Sequence, residues 1–550
     1  MEEQIVIGKG TWIDKVADIL IKREQKLGRN LGLIRVESGL GASGIPHIGS
    51  MADAVRAYGI ALALQNFGFK SQLVAYSDDM DGLRRIPEGL PHWLQDHIAK
   101  PVSTIPDPFG DCHTSYGMHM SSLLLDGLDK AGIKYRFQSG SEAYKQGTLV
   151  KQIDTILKQN DKIGRKIAEF VGQDKYTEVL PYFPICSNCG RLYTSVAQEY
   201  LPDDRKVAYI CRGSRIGKER TIKGCGNKGE ADITRGEGKL AWKVEFAARW
   251  QALDIRFEAY GKDIMDSVRV NDWVADEILL YPHPLHVKYE MFLDKAGKKI
   301  SKSSGNVLTP QMWLRYGTPE SILLLLFKRI AGTRHIGLDD VPSLMDEYDY
   351  YEDVYFGKIN EDNLAKLTKI KGIYEYINKL NPPSHPETHI PYRFIAQQAS
   401  IFPPEDDGDR SEKVFNRLLK YGMVREEEKK SERIMNKIGL ASNWGDDNTT
   451  KDEKDEKFEI RLSDVHRKAV QELIESIRPF AGLPDSPDNA KNLQSNIFSI
   501  ARANGIEPKE FFALLYRMFL NADRGPRIGN YLLDLGINRA TNLLKRYLND

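Results

Sequence analysis

Near the N-terminus the apolar positions change period several times. Residues 11–27 set Trp12, Val16, Ile19 and Leu20 on one face at helical spacing and predict an amphipathic helix. Residues 33–36 form a short, mostly apolar run and predict a strand. This run ends in a loop of small residues, Glu37-Ser-Gly-Leu-Gly-Ala-Ser-Gly44. A second helix is predicted over 50–67 and a second strand over 72–76, closed by the acidic run Ser77-Asp-Asp-Met-Asp81. Strand, glycine loop, helix and strand make a βαβ unit, which predicts an α/β, Rossmann-type doubly wound domain.

Residues 95–240 interrupt that pattern. They carry all five cysteines and many Gly, Lys and Arg residues, and read as an insertion. The α/β pattern returns over 242–261 and runs to about 330, after which no strand is predicted. Charged stretches at 404–413 and 425–433 read as loops or solvated helix faces, and 445–457 has no large apolar side chain and reads as a linker. Residues 460–548 carry several periodic apolar helices, and no internal repeat is present. The predicted division is 1–330 for the Rossmann domain with its insertion, 331–400 helical, and 401–550 an all-α C-terminal region.

A length of 550 residues implies several domains, and 41% hydrophobic with 28% charged residues describes a globular protein. No apolar run is long enough for a transmembrane helix, and the N-terminus lacks the apolar core of a secretory signal. Five cysteines are too few for a disulfide scaffold, so a cytoplasmic location is expected. The net charge of +1 gives no global attraction to nucleic acid, so any RNA surface must be a local basic patch.

Two segments carry candidate nucleotide chemistry. Pro46-His47-Ile48-Gly49-Ser50 stands where the first strand hands over to a helix, whose N-terminus offers amides and a positive dipole end to phosphates. His47 there is placed to stabilise charge developing at a phosphate. Lys298-Lys299-Ile300-Ser301-Lys302-Ser303-Ser304-Gly305-Asn306 interleaves lysines and serines in a phosphate-binding loop. Taken alone, the first reads as well as a tight turn with an incidental histidine, and the second is usually a solvated basic loop. Their order and their position at the two ends of one α/β region make the pair much more specific.

These segments resemble the HIGH and KMSKS signatures of class I aminoacyl-tRNA synthetases. With ESGLGASGIPHIGS (37–50), YSDDMDGLRRIP (76–87), IPDPFGDCHTSYGMH (105–119), GKLAWKVEFAARW (238–250) and Gly261-Lys-Asp263, the chain is similar to the class I lysyl-tRNA synthetases typical of archaea. The resemblance covers residues 12 to about 330 and continues more weakly to the C-terminus, through Arg524-Gly-Pro-Arg-Ile-Gly529. It implies that lysine and ATP, with Mg²⁺, form lysyl-adenylate, and that tRNA(Lys) then takes the lysyl group.

The resemblance also implies roles for single residues. His47, Lys299 and Lys302 would be catalytic, with Pro46, Gly49, Ser50, Ser301 and Ser303 also contacting ATP. Gly39, Gly41 and Trp242 match positions lining the family's lysine site, and Glu37 and Asp79 are the candidates for the charge facing the ammonium. The bland alternative for Trp242, ordinary core packing, is the less favoured of the two. Two departures stand out: Ser50 replaces the second histidine of HIGH, and Ile264 stands where relatives carry a histidine. The insertion would guide the tRNA acceptor end, residues 331–400 would contact the stem, and 401–550 would read the anticodon.

Cys186-x2-Cys189, followed by Cys211 and Cys225, has the knuckle spacing of a tetrahedral zinc site. Asp107, Cys112, His113 and His119 form a second set. Its spacing is weaker, because adjacent ligands Cys112 and His113 fit one metal awkwardly, but the resemblance implies a metal there. One extra residue, Asp111, leaves Asp107 and Asp111 as alternative ligands. One to two structural Zn²⁺ are expected. Two rival readings remain. One is a synthetase of glutamyl type, for which Arg35 is the cation nearest the motif loop. The other is a non-catalytic RNA-binding paralogue, against which intact His47, Lys299 and Lys302 count.

Overall fold

The computed structural model describes residues 6–216, 220–290, 292–298, 300, 307–399, 407–448, 460, 462–483, 486–520, 525 and 527–548. The chain forms two compact units. The first comprises Met1–Trp313, Pro319–Leu338 and Val354–Pro383; the second comprises Leu314–Thr318, Asp339–Asp353 and Ser384–Asp550.

The first unit is built on a five-stranded parallel sheet. Its order is Leu285–Tyr289, Ile255–Gly261, β1 (Ile34–Leu40), β2 (Ser71–Ser77) and β3 (Arg136–Ser139). Helix α1 (Trp12–Lys26) begins in a capping box, Thr11 with Asp14, and α2 (Ile48–Asn66) connects β1 to β2. Ala, Leu, Ile and Val on almost every side of α2 are buried, so it runs through the core rather than over it. β1 is central: the chain first moves outward to β2 and β3, then returns to pair Ile255–Gly261 on the other side of β1. In open α/β sheets the carboxyl ends of strands at such a reversal form the ligand crevice.

Part of the predicted insertion belongs to the sheet. Residues Tyr116–Lys130 form helix α3, and Arg136–Ser139 is the edge strand β3. Short, polar and only half-buried, β3 has none of the apolar alternation that marks a strand in sequence. Beyond it, antiparallel ribbons carry the cysteines: Ser195–Leu201, Lys206–Cys211 and Lys228–Asp232 form one sheet, and Tyr182–Pro184 pairs with Gly238–Leu240.

The second unit holds no strand among its described residues. Phe394, Phe415, Leu418, Tyr421 and Ile438 form part of its core, and Tyr531 packs on Phe394 with ring centroids 6.1 Å apart. Asp534 pairs with Arg417 at 3.5 Å, so the last helices share a core with residues 384–448. The predicted linker starts late: helix Glu432–Asn448 takes in its first four residues, and the segment that follows lies outside the described residues. The charged stretch near 410 is helical, within Asp407–Lys420. Among the described residues no helix is long and apolar enough to cross a membrane.

Candidate active site and metal clusters

His47 is the N-cap of α2, and its Nδ1 accepts the amide of Ser50 at 3.3 Å. The ring folds back over the helix start because residue 49 is glycine: a Cβ there would stand 2.9 Å from ring atoms Cε1 and Nδ1. The amide of Ile48 donates to the carbonyl of Leu308, just beyond the second signature. Ile300, inside that signature, lines the same cavity as His47. The two motifs, some 250 residues apart in sequence, therefore flank one crevice. Lys299, Ser301, Lys302 and Ser303 themselves lie outside the described residues.

The cavity is about 250 Å³ and opens at the carboxyl ends of the central strands. Gly39, Gly41, His47, Gly49, Ser50 and Trp242 line it, as does Ile264. Pro46 is buried just before the helix and does not line the cavity. Sequence reasoning missed Asp78, Arg249, Glu258 and Asp263, which also line it.

Register explains the electrostatics. Glu37 of β1 stands directly beside Glu258 of the neighbouring parallel strand, and Asp78 follows the end of β2. Like charges placed side by side repel. Arg249, from helix Trp242–Leu253, reaches between them: Nε lies 2.5 Å from Glu37, Nη1 3.2 Å from Asp78 and Nη2 2.8 Å from Glu258. The indole N–H of Trp250 donates to Glu258 at 2.5 Å. One guanidinium thus faces three buried carboxylates, more acid than it can pair once all three are ionised. Burial raises the pKa of Glu37 and of Asp78, against the lowering pull of Arg249. Burial also raises Asp53 to about 7, opposed by its hydrogen bond from Tyr289 and by Arg56.

Asp79, the carboxylate chosen from the acidic run, points elsewhere. It accepts from the hydroxyl of Ser139 at 2.6 Å and from the amide of Ser141 at 2.6 Å, holding the start of the short helix Gly140–Lys145. Its neighbour Asp78 is the one at the cavity. The run supplies one ligand-facing and one structural acid, and the turn after β2 decides which. Arg35 faces Asp254 at 3.7 Å and does not line the cavity.

Both predicted metal sets converge. The sulfurs of Cys186 and Cys225 are 3.5 Å apart and those of Cys189 and Cys211 3.9 Å. Four thiolates about 2.3 Å from a tetrahedral zinc would stand about 3.8 Å from one another. In the second set Cys112 Sγ lies 3.1 Å from Asp107 Oδ2, 3.1 Å from His113 Nδ1 and 3.4 Å from His119 Nδ1. His119 Nδ1 is 3.0 Å from Asp107. Cys112 and His113, adjacent in sequence, do face one point, and Asp107 rather than Asp111 completes the group.

The chain belongs to the class I tRNA synthetases: the family model described as tRNA synthetases class I (K) matches residues 10–379. It is 52% identical to a lysine–tRNA ligase of Cenarchaeum symbiosum (strain A), over 99% of each chain. It is 29% identical to a lysine–tRNA ligase of Rickettsia bellii (strain OSU 85-389), over 94% of each chain.

Proposed function

We propose that this protein activates lysine with ATP and transfers it to tRNA(Lys). The observation that carries the reading is the charge of the cavity beside His47. Five carboxylates (Asp53, Asp78, Glu258, Asp263 and Glu290) line it against two guanidiniums, and Arg249 is already engaged by three acids. A cationic side chain is the complement of that surplus, and the ring of Trp242 gives it an aromatic face. A glutamyl substrate needs an uncommitted cation. Arg35 lies away from the cavity, Arg249 is held by its own acids, and Arg56, the second guanidinium, lies over the Tyr289 ring at 4.3 Å with the Asp53 carboxylate acting on it.

The chemistry divides into two displacements. The lysine carboxylate oxygen attacks the α-phosphorus of ATP, and pyrophosphate leaves. A terminal ribose hydroxyl of tRNA then attacks the adenylate carbonyl, and AMP leaves. His47 and the amides at the start of α2 stabilise negative charge gained on the phosphate, and Lys299 and Lys302 close over the pyrophosphate. Mg²⁺ accompanies the ATP phosphates. Cys186, Cys189, Cys211 and Cys225, and separately Asp107, Cys112, His113 and His119, supply donor sets that fit zinc in a structural role. The helical second unit, with exposed Arg517, Arg527, Arg539, Lys545 and Arg546, reads the anticodon end, while 1–330 carries the chemistry.

ATP–pyrophosphate exchange measured with each amino acid, with and without tRNA, tests the reading. Lysine should be the preferred substrate by orders of magnitude. Preference for glutamate, or no exchange with any amino acid, would overturn it.

A further inference from the structure

A second cavity, of about 400 Å³, lies on the insertion side of Trp242, whose half-buried ring lines both cavities. Five cationic side chains and a single carboxylate, Asp81, line it. Trp242 is therefore a partition between two spaces of opposite charge, and the way its ring is held decides what the first cavity presents. An indole has one polar atom, an N–H that can only donate. In Trp242 it donates to Asp81 Oδ1 at 3.3 Å, across 161 residues of sequence. Asp81 lines the second cavity and not the first, so the N–H edge is anchored on the insertion side.

Asp81 is itself held firmly. Buried Lys239 donates to the same oxygen, and its ammonium also lies 2.8 Å from Glu245. Burial alone would lower the pKa of Lys239, but Asp81 and Glu245 raise it well above the usual lysine value, so it is an ammonium in the folded protein. Glu245 accepts from the hydroxyl of Tyr144 at 2.9 Å, and that hydroxyl accepts the amide of Leu240 at 3.0 Å. The backbone of Asp81 is pinned as well: its amide donates to the carbonyl of Asp78 at 3.1 Å, and its carbonyl accepts the amide of Val102 at 2.9 Å. The side-chain amide of Asn271 donates to the carbonyl of Trp242 at 2.8 Å. A buried ammonium between two carboxylates carries a desolvation cost that an apolar core would avoid. Packing alone gives no reason for an indole N–H to be aimed at it.

The second torsion of a tryptophan side chain is broad and roughly two-fold, so an unanchored ring can flip or tilt. Cation–π attraction needs the cation over the ring face, within about 6 Å of its centre, and a tilted ring loses it. A hydrogen bond to a charged acceptor is strong and directional, and selects one orientation.

We propose that Asp81, held in place by Lys239, is a positioning residue for the amino acid: it fixes the Trp242 ring by its N–H edge so that the ring face meets the lysine ammonium in the first cavity. The proposal rests on the lysine reading above and deepens it, since neither Asp81 nor Lys239 lines that cavity.

ATP–pyrophosphate exchange is measured for the wild type, Asp81→Ala, Trp242→Phe and the double variant. Asp81→Ala leaves Lys239 paired with Glu245. It should raise KM for lysine about tenfold, the scale of one cation–π contact, and KM for ATP less than twofold. Trp242→Phe keeps an aromatic face but has no N–H. In that background Asp81→Ala should change KM for lysine less than twofold, because the two residues act as one unit. Equal effects in the two backgrounds, or no effect in the wild type, would overturn the proposal. If Asp81→Ala does not fold, the full chain labelled with ¹⁵N-tryptophan gives the answer instead. The indole N–H signal missing from Trp242→Phe belongs to Trp242, and it should exchange with solvent about tenfold more slowly than a free indole, as a bond to a charged acceptor requires. Exchange as fast as a free indole would overturn the proposal. A wild type that activates lysine while Asp81→Ala acts alike in both backgrounds sinks only the positioning role, whereas a wild type that does not activate lysine sinks the functional reading and this proposal with it.

Discussion

The two cavities that meet at Trp242 use similar side chains in opposite proportion: five carboxylates and two guanidiniums on one side, five cations and one carboxylate on the other. A chain with a net charge of +1 shows nothing of this separation in its composition. Each side also neutralises part of its own charge with a buried partner of opposite sign, Arg249 among the acids and Asp81 among the cations. What is left over, negative or positive, is the charge each cavity offers a ligand. The difference teaches that the sign of a cavity comes from how completely its charges are paired internally, not from one side chain.

The comparison can be broken most severely at Arg249. Arg249→Met leaves Glu37, Asp78 and Glu258 buried without their cation, and removing one partner of a buried charge pair costs about 3–5 kcal/mol. Chemical denaturation should show a loss of that order; a loss below about 1 kcal/mol would mean that the acids are protonated already. Cys186→Ser attacks the cationic side through its frame. Metal analysis should find one equivalent of zinc fewer, and limited proteolysis should open the ribbons of residues 182–240, because metal binding and folding are coupled in such sites. Unchanged zinc content would remove the cluster from the argument.

Lys302→Ala should slow exchange by about 10²-fold, the scale of one transition-state charge contact, with little change in the KM for lysine. An equal rise in the KM for lysine would assign Lys302 to binding instead. Asp78→Asn lowers the negative surplus by one, and KM for lysine should rise about tenfold, within the worth of a charged hydrogen bond. No change would show that Asp78 serves only to balance Arg249.

The smallest effect is with pH. Burial raises the pKa of Asp53 to about 7 and raises those of Glu37 and Asp78 as well. The folded state therefore binds these protons more tightly than the unfolded chain. Their contribution to stability is full below the ordinary carboxylate range near pH 4 and is lost as pH rises through the folded values. The melting temperature without ligand should fall between about pH 6 and pH 8, and lysine should restore more of it at the upper end. KM for lysine should fall severalfold over the same window, because an ammonium favours the ionised acids. A flat profile would mean that they are ionised before lysine arrives.

How much of this was legible depends on whether a feature is local. The βαβ unit, its small-residue loop and the helix start at His47 each sit within one stretch of chain, and the apolar pattern exposes them. Both metal sets were readable because thiols and imidazoles are rare and their spacing is short. Arg249 was not, since its three acids come from strands and a turn up to 212 residues away. A local signal did exist: Arg249 lies within VEFAARW, a helix apolar on nearly all sides, where a charge needs a partner. The strand β3 escaped because an edge strand need not be apolar. Asp78 and Asp79 are neighbours in one acidic run, and a strand's alternation does not carry through the turn that ends it, so the sequence does not say which of them faces the cavity. Removing residues 460–550 is not a clean test of anticodon reading, because Tyr531 and Asp534 belong to the core beside Phe394 and Arg417. Charge reversal at exposed Arg539 and Lys545 is the sharper experiment, with a raised KM for tRNA expected.

The surplus of carboxylates around Arg249 has a consequence for translational accuracy. A field of charge ranks amino acids by sign first and by length only weakly. Neutral methionine should be rejected strongly, because it leaves the acids uncompensated. Ornithine brings the same two ammoniums on a chain one methylene shorter, and a missing methylene is worth only about 1–3 kcal/mol. The errors of this enzyme should therefore fall on small basic metabolites, and the cell's pool of them, as much as the cavity, would set how often a lysine codon is misread.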